Sequence, residues 1–407
     1  MPLRITHPEL FGVTESGFTL CFGVEDAAGP VDAPAEILVD AEPRARLGGA
    51  GTRQLRLDGL EPATRYRVEI RVAGAEAPAR NVYFPESFET LPREPGAPVA
   101  SFATLNDLHF GEPRFGGFIQ PDGEYGEDRE GYPFVRECDT DVPYWGFMNQ
   151  DAIDEINATG VDAVVIKGDI ADRGLPEQFE AAARVFSRLR PPWHAFLGNH
   201  DHYGLELGLE VDGYALLGQP PAPRAVELGG WRLLLLDTVE PGHHHGIFPE
   251  ERLAWLERAL GEAPGCPTLL FTHHQPVPPE HADTYPNTIG IRPEHSLGLF
   301  EAIRRHPQVR GVLIGHTHRN RVRRHAAAGP APFVEVNCTK DYPGGWAHYR
   351  LYEDGSFRQE VRRTASERAL VHSTTCRDFF RGGYKLFSLG DLGARSFAAG
   401  GGGRSGG

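Results

Sequence analysis

Five short apolar runs, Val99 to Leu105, Ala163 to Ile166, Ala195 to Leu197, Thr268 to Phe271 and Val312 to Ile314, each lead straight into a block of Asp, His or Asn. The blocks are Asp107-Leu108-His109, Gly168-Asp169, Gly198-Asn199-His200-Asp201, Thr272-His273-His274 and Gly315-His316-Thr317-His318. Apolar runs of this length read as buried strands. An open α/β sheet gathers the carboxyl ends of its strands along one rim, so residues far apart in sequence meet there. The side chains that would meet are carboxylate, imidazole and carboxamide, without thiolate. That donor set suits Mn, Fe, Zn or Ni rather than a structural zinc site. Seven such groups exceed what one ion takes and match two.

In this order the blocks resemble the pattern of the calcineurin-like metallophosphoesterases: D-x-H, G-D, G-N-H-[DE], a lone His and G-H-x-H. The resemblance runs from about Pro98 to about Arg363, and every block keeps its ligands. It implies a two-sheet α/β sandwich and a centre of two divalent or trivalent metal ions, Mn, Fe or Zn. Asp107, His109 and His318 are expected to hold the first ion, and Asn199, His273 and His316 the second. Asp169 is expected to bridge them, since one carboxylate offers an oxygen to each. The resemblance also implies a hydroxide between the ions as nucleophile, because a metal lowers the pKa of bound water from roughly 15.7 to about 7. His200 is expected over the phosphate, as charge stabiliser or as the acid that protonates the departing alkoxide. Asp201 is expected to hold the His200 ring in position, as carboxylates behind catalytic histidines do.

Departures within the superfamily narrow the expectation. Purple acid phosphatases carry D-x-G in the first block and a tyrosinate from G-D-x-x-Y, where this chain has His109 and Asp172. The D-x-H form looks more like the bacterial cyclic-nucleotide and glycerophosphodiester phosphodiesterases. The expected enzyme is a metal-dependent phosphoric ester hydrolase acting on a small phosphodiester or monoester. A non-catalytic scaffold of the same fold is the alternative, and the complete ligand set argues against it. A nuclease is the other, and the net charge of −15 provides no basic stripe for nucleic acid.

Residues 1–95 read differently. Alternating stretches such as Gly17 to Val24 and Arg65 to Val72, separated by Gly, Pro, Asp and Glu turns, predict a small all-β sandwich. Leu60-Glu61-Pro62-Ala63-Thr64-Arg65-Tyr66-Arg67-Val68 resembles the fibronectin type III signature, in which the tyrosine turns its hydroxyl back onto the backbone. The expected organisation is a β-sandwich over 1–95, the metallophosphoesterase domain over 96–365, a C-terminal extension over 366–393 and a disordered Gly-rich tail over 394–407. No apolar stretch is long enough to span a membrane and no signal peptide is recognisable. Five scattered cysteines without C-x-x-C predict reduced thiols and a cytoplasmic protein.

Several neighbours of the ligand blocks have open roles. Asp172 is either a helix cap or a support for the centre, and His274 is a phosphate contact or a mere neighbour. The aromatic-rich stretch Gly111 to Trp145 is expected to form a lid or a wall of the pocket. His243-His244-His245 reads as an exposed loop, and Arg319, Arg321, Arg323 and Arg324 as a solvated face. In the loop Asn337 to Trp346, Lys340 could neutralise a phosphate oxygen, and Tyr342 or Trp346 could stack on a ring. The segment Thr375 to Phe387 mixes aromatics with Arg and has no assigned role.

Overall fold

A computed structural model of the chain describes residues 2–113, 115, 143–380 and 382–399. The expected pocket wall over 111–145 lies almost wholly outside the described residues, as do Cys138 and the end of the Gly-rich tail.

The five apolar runs are strands of two six-stranded sheets. In the first sheet, Trp193–Phe196, Ala163–Lys167 and Pro98–Leu105 run parallel; Gly345–Tyr352, Phe357–Arg363 and Ser396–Ala399 continue it antiparallel. In the second, Trp231–Leu235, Thr268–Thr272, Val309–Ile314 and Pro332–Glu335 run parallel between the antiparallel edges Arg224–Leu228 and Arg321–Arg324.

Strand periodicity explains why the runs are apolar at every position. Leu233, Leu235, Leu269 and Phe271 face inward and pack with Phe102, Val165 and Tyr349 of the first sheet. Leu234 and Leu270, one residue out of phase, pack outward with Leu256, Leu260, Leu299 and Ile303 on the helices Glu250–Gly261 and Pro293–Arg305. Ala103, Leu105, Val164 and Ile166 do the same against helices Tyr144–Thr159 and Pro176–Phe186. Both faces of the central strands Ala163–Lys167, Trp231–Leu235 and Thr268–Thr272 are therefore dry, as expected for parallel sheets covered by helices. The helix Pro293–Arg305 opens on Pro293, which sits in its first turn, where no N–H is needed.

The N-terminal strands form separate antiparallel sheets around Phe18, Leu20, Phe22, Ile37 and Ile70. The Tyr66 hydroxyl accepts a hydrogen bond from the Glu61 N–H at 2.9 Å, which fixes the corner leading into Val68–Val72. These sheets dock through buried polar contacts. Glu9, 1% exposed, accepts from the Tyr342 hydroxyl at 2.8 Å and faces Lys385 at 3.2 Å and Arg363 at 3.7 Å. Removing one partner of a buried ion cluster strands the others without compensation. Glu9→Ala is accordingly expected to destabilise the protein by about 3–5 kcal/mol, read as a lowered thermal midpoint. An unchanged midpoint would show that this contact is not what joins the two regions.

The tail begins later than the composition suggests. Arg395, 1% exposed, donates to the carbonyls of Phe11 at 2.6 Å and Leu10 at 3.1 Å. Ser396–Ala399 pairs with Phe357–Arg363, with Phe397 packed edge-on to Phe357. The small residues around Arg395 and Phe397 hid two side chains that need a partner.

The arginine run divides: Arg321 and Arg324 are exposed, as a solvated face requires, and the other two are not. Arg319 and Arg323 turn onto the buried Glu335 at 2.7 and 2.9 Å, across the antiparallel pair of Arg321–Arg324 with Pro332–Glu335. Among the described residues, no helix is long and apolar enough to cross a membrane, and Cys21, Cys266, Cys338 and Cys376 are free thiols.

Candidate active site

All five blocks meet along one rim. His109 Nε2 lies 3.3 Å from His318 Nε2 and 3.9 Å from Asp169 Oδ2, and His318 Nε2 lies 3.5 Å from Asp107 Oδ1. On the other side of Asp169, His273 Nε2 lies 3.2 Å from Asp169 Oδ1 and 3.1 Å from Asn199 Oδ1. The rings of His273 and His316 are 5.0 Å apart. Asp169 thus presents one oxygen to each cluster.

The outward nitrogen of each histidine is already engaged. His109 Nδ1 faces Asp172 Oδ1 at 3.3 Å, and His318 Nδ1 faces Asp341 Oδ2 at 3.5 Å. His273 Nδ1 donates to the carbonyl of Lys167 at 2.8 Å, and His316 Nε2 to that of Ile289 at 2.9 Å. Such contacts select the tautomer and leave the other nitrogen's lone pair for an ion. Asn199 is set likewise: its Nδ2 donates to the Tyr203 hydroxyl at 2.5 Å, leaving Oδ1 inward.

Backbone strain gives an independent sign. Asp107, His109, Asp169, His316 and His318 all have φ between 45° and 65°. Left-handed conformations at non-glycine residues cost on the order of 1–3 kcal/mol each and persist where the surroundings demand them. The glycines of two blocks are required by close approach. A Cβ on Gly168 would lie 2.6 Å from His273 Nδ1, and one on Gly198 would press on Asp169 and His273. The donor atoms, their tautomers and the strain together fit a two-ion centre.

Electrostatics agree with that fit. Burial works against ionisation of Asp169, yet His273, His200 and His109 outweigh it and hold the carboxyl well below its ordinary value. Burial likewise opposes charge on His273, but Asp169 and Asp107 raise it to about 9.

His200 stands beside the clusters. Its Nδ1 lies 2.7 Å from the carbonyl of Asp172, which leaves Nε2 free for a bound group. Asp201 does not touch this ring. Its carboxylate turns inward to accept from Gly198 N at 2.8 Å, Ala171 N at 2.7 Å and Ile170 N at 3.2 Å. Burial and the nearby Asp169 raise its pKa to about 7 against those donors. Asp201 therefore braces the two ligand loops, and the expected role as His200's partner passes to the Asp172 main chain. Asp172 itself is no helix cap; the residue before Pro176–Phe186 is Leu175.

The remaining neighbours are also placed. His274 is buried behind His273 and His316, with its Nδ1 3.0 Å from Thr238 Oγ1, and it does not line the cavity. Tyr342 and Trp346 do not offer their rings to a ligand: both are buried, donating to Glu9 and to Glu155. Lys340 lies between Glu112 at 2.7 Å and Asp341 at 3.2 Å, over the Phe115 ring. Its charge is already compensated. The histidine triplet divides: His244 reaches the cavity and contacts the Tyr203 hydroxyl, whereas His245 pairs with Glu240 at 2.6 Å and Arg292.

A cavity of about 1090 Å³ opens over the centre. His109, Asp169, Asn199, His200, His316 and His318 lie on its wall, together with Tyr285, Phe380, Tyr384 and Phe387. Sequence reasoning missed these aromatics because they belong to no ligand block and follow no simple period. The mixture of rings in Thr375 to Phe387 was the available signal.

Comparison with known proteins agrees with this geometry. A sequence model described as calcineurin-like phosphoesterase matches residues 101–320. A probable cyclic nucleotide phosphodiesterase of a Synechococcus strain is 30% identical over 213 residues, 49% of this chain and 76% of that protein. A 3′,5′-cyclic adenosine monophosphate phosphodiesterase of Escherichia coli K12 is 31% identical, across 51% of this chain and 76% of its own length. A glycerophosphodiester phosphodiesterase of Enterobacter lignolyticus is 33% identical, over 42% of this chain and 61% of that protein. The chain belongs to the calcineurin-like phosphoesterase family, whose members use a dinuclear metal centre, and it is a metal-dependent hydrolase of phosphoric esters.

Proposed function

We propose that the enzyme is a phosphodiesterase for a small, singly charged phosphodiester, and that the five-block rim is its active site. Asp107, His109 and His318 would hold one ion, Asn199, His273 and His316 the other, and Asp169 would serve both. When bound, the ions supply an activated water and neutralise charge on the phosphate oxygens. His200 Nε2 faces the ester and protonates the departing alkoxide or stabilises its charge. Asp172 and Asp341 orient His109 and His318 from behind.

The observation that carries this reading is the convergence of histidine nitrogens on Asp107, Asp169 and Asn199, with Asp169 and Asn199 open to one cavity. Diester is favoured over monoester by charge. Among the described lining residues the Lys and Arg side chains are Lys340 and Arg173, and each already pairs with a carboxylate, Arg173 with Glu206 at 3.1 Å. A dianionic monoester would want a further unpaired cation. Residues 1–95 are read as a buttressing β-sandwich, 96–365 as the catalytic unit and 366–399 as an extension that completes the cavity. Free thiols fit a cytoplasmic setting.

The test loads purified enzyme separately with Mn, Fe and Zn and measures metal content beside hydrolysis of p-nitrophenyl mono- and diesters. Metal-dependent cleavage that favours the diester, and disappears on chelation, is expected. Equal or faster monoester cleavage would overturn the diester assignment.

A further inference from the structure

The aromatic wall of the cavity has no part in holding ions or moving protons. Tyr384 and Phe387 lie on the helix Gly383–Ser388, Phe380 lies just before it, and Tyr285 faces them from the loop after Thr268–Thr272. The ring pairs Tyr285–Phe387 and Tyr384–Phe387 have centroids 6.2 and 6.4 Å apart, each inclined by 26°. Phe115 closes the array 5.1 Å from Tyr384. Tyr285 is 68% exposed and Phe380 37%, so large rings stay uncovered beside the charged floor.

The wall is also anchored from behind. The Tyr384 hydroxyl donates to Asp341 Oδ1 at 2.6 Å, Lys385 pairs with Glu9 at 3.2 Å, and the Arg319 guanidinium lies over the Phe387 ring. A surface fixed in this way is pre-formed, so binding against it needs little ordering. With the Tyr384 hydroxyl committed to Asp341, the Tyr285 hydroxyl is the polar side-chain group that this four-ring wall leaves for a ligand. A compact polyol arm would leave most of its own hydroxyls unpaired here, whereas a flat apolar ring would cover the exposed faces and gain stacking.

We propose that Tyr285, Phe380, Tyr384 and Phe387 form the specificity surface for the organic arm of the ester, and that this arm carries a flat, largely apolar ring. The inference rests on the phosphodiesterase reading and names the substrate class within it. The cavity is large enough, since pockets for drug-sized ligands occupy roughly 300–1,000 Å³.

The test compares metal-loaded enzyme on phenyl p-nitrophenyl phosphate and methyl p-nitrophenyl phosphate, which share a leaving group and differ in the retained arm. Beyond their difference in uncatalysed rate, the phenyl ester is expected to show a kcat/KM about tenfold higher. Tyr285→Ala and Phe387→Ala are each expected to lower that phenyl-to-methyl ratio about three- to tenfold, mainly through KM. Leu386→Ala, on the same helix but 71% exposed and off the cavity, serves as control and should leave the ratio alone. Tyr285 is exposed enough that its substitution tests the wall even where Phe387→Ala fails to fold. An unchanged ratio in folded Tyr285→Ala would overturn the inference. So would wild-type enzyme that cleaves both esters without preference, and the phosphodiesterase reading would then stand. Metal-loaded enzyme that cleaves neither would overturn both.

Discussion

Asp169→Asn is expected to abolish ester hydrolysis and to remove most of the bound metal while leaving the fold in place. Asn is the informative substitution because it tolerates the left-handed backbone at this position, φ 49°, better than Ala does. It keeps one carbonyl oxygen and loses the charge. Asp169 is the group that both clusters share, with Oδ1 3.2 Å from His273 and Oδ2 3.9 Å from His109. A carboxamide can offer its oxygen to one side only, so each cluster loses either a ligand or the charge that balances its ion. Apo protein of normal circular dichroism, with metal content far below wild type, is the expected result. A variant that kept its full metal complement would remove Asp169 from the bridging position.

How much of this was legible beforehand depended on the periodicity of each segment. The rim could be read because parallel strands covered on both faces are apolar throughout, as Leu233 to Leu235 and Val164 to Ile166 are, and their polar blocks then stand out. The groups behind the ligands were less readable. Asp172 and Asp341 reach His109 and His318 through loop geometry that no spacing rule encodes. Asp201 was misread because sequence adjacency to His200 suggested contact. The short 3₁₀ turn His200–Leu207 instead sends that carboxylate back to the amides of Gly198, Ile170 and Ala171. Lys340 looked like a phosphate ligand until Glu112, more than two hundred residues earlier, proved to be its partner. The aromatic wall was hidden for a related reason. Its rings come from a short helix near the C-terminus and a loop that carries Pro276, Pro278 and Pro279, and that helix is tied to the N-terminal sheets by the Lys385–Glu9 pair, far away in sequence.

His200→Ala is expected to separate catalysis from metal binding. Its Nδ1 is tied to the Asp172 carbonyl at 2.7 Å, and its ring stands 4.4 Å from that of His109, beside the clusters rather than within the converging set. The variant should keep its metal and lose about 10²–10⁴ in kcat, the range for removal of a positioned proton donor. His200, His109 and Asp169 nonetheless bring one donor atom each within 4.8 Å of one another, so a ligand role is the rival reading. Metal analysis decides between them, since loss of metal to the degree seen for Asp169→Asn would make His200 a ligand. The leaving group then separates acid from charge stabiliser. A p-nitrophenolate departs without a proton, whereas an alkoxide needs one, so an acid is missed far more by an alkyl ester than by a nitrophenyl ester. If His200 only stabilises charge on the phosphate, the two esters slow alike. The hydrogen bond to Asp172 fixes Nδ1 as a donor, which gives Nε2 a proton to deliver whenever the ring is an imidazolium, and on that geometry the alkyl ester is expected to lose at least about tenfold more than the nitrophenyl ester.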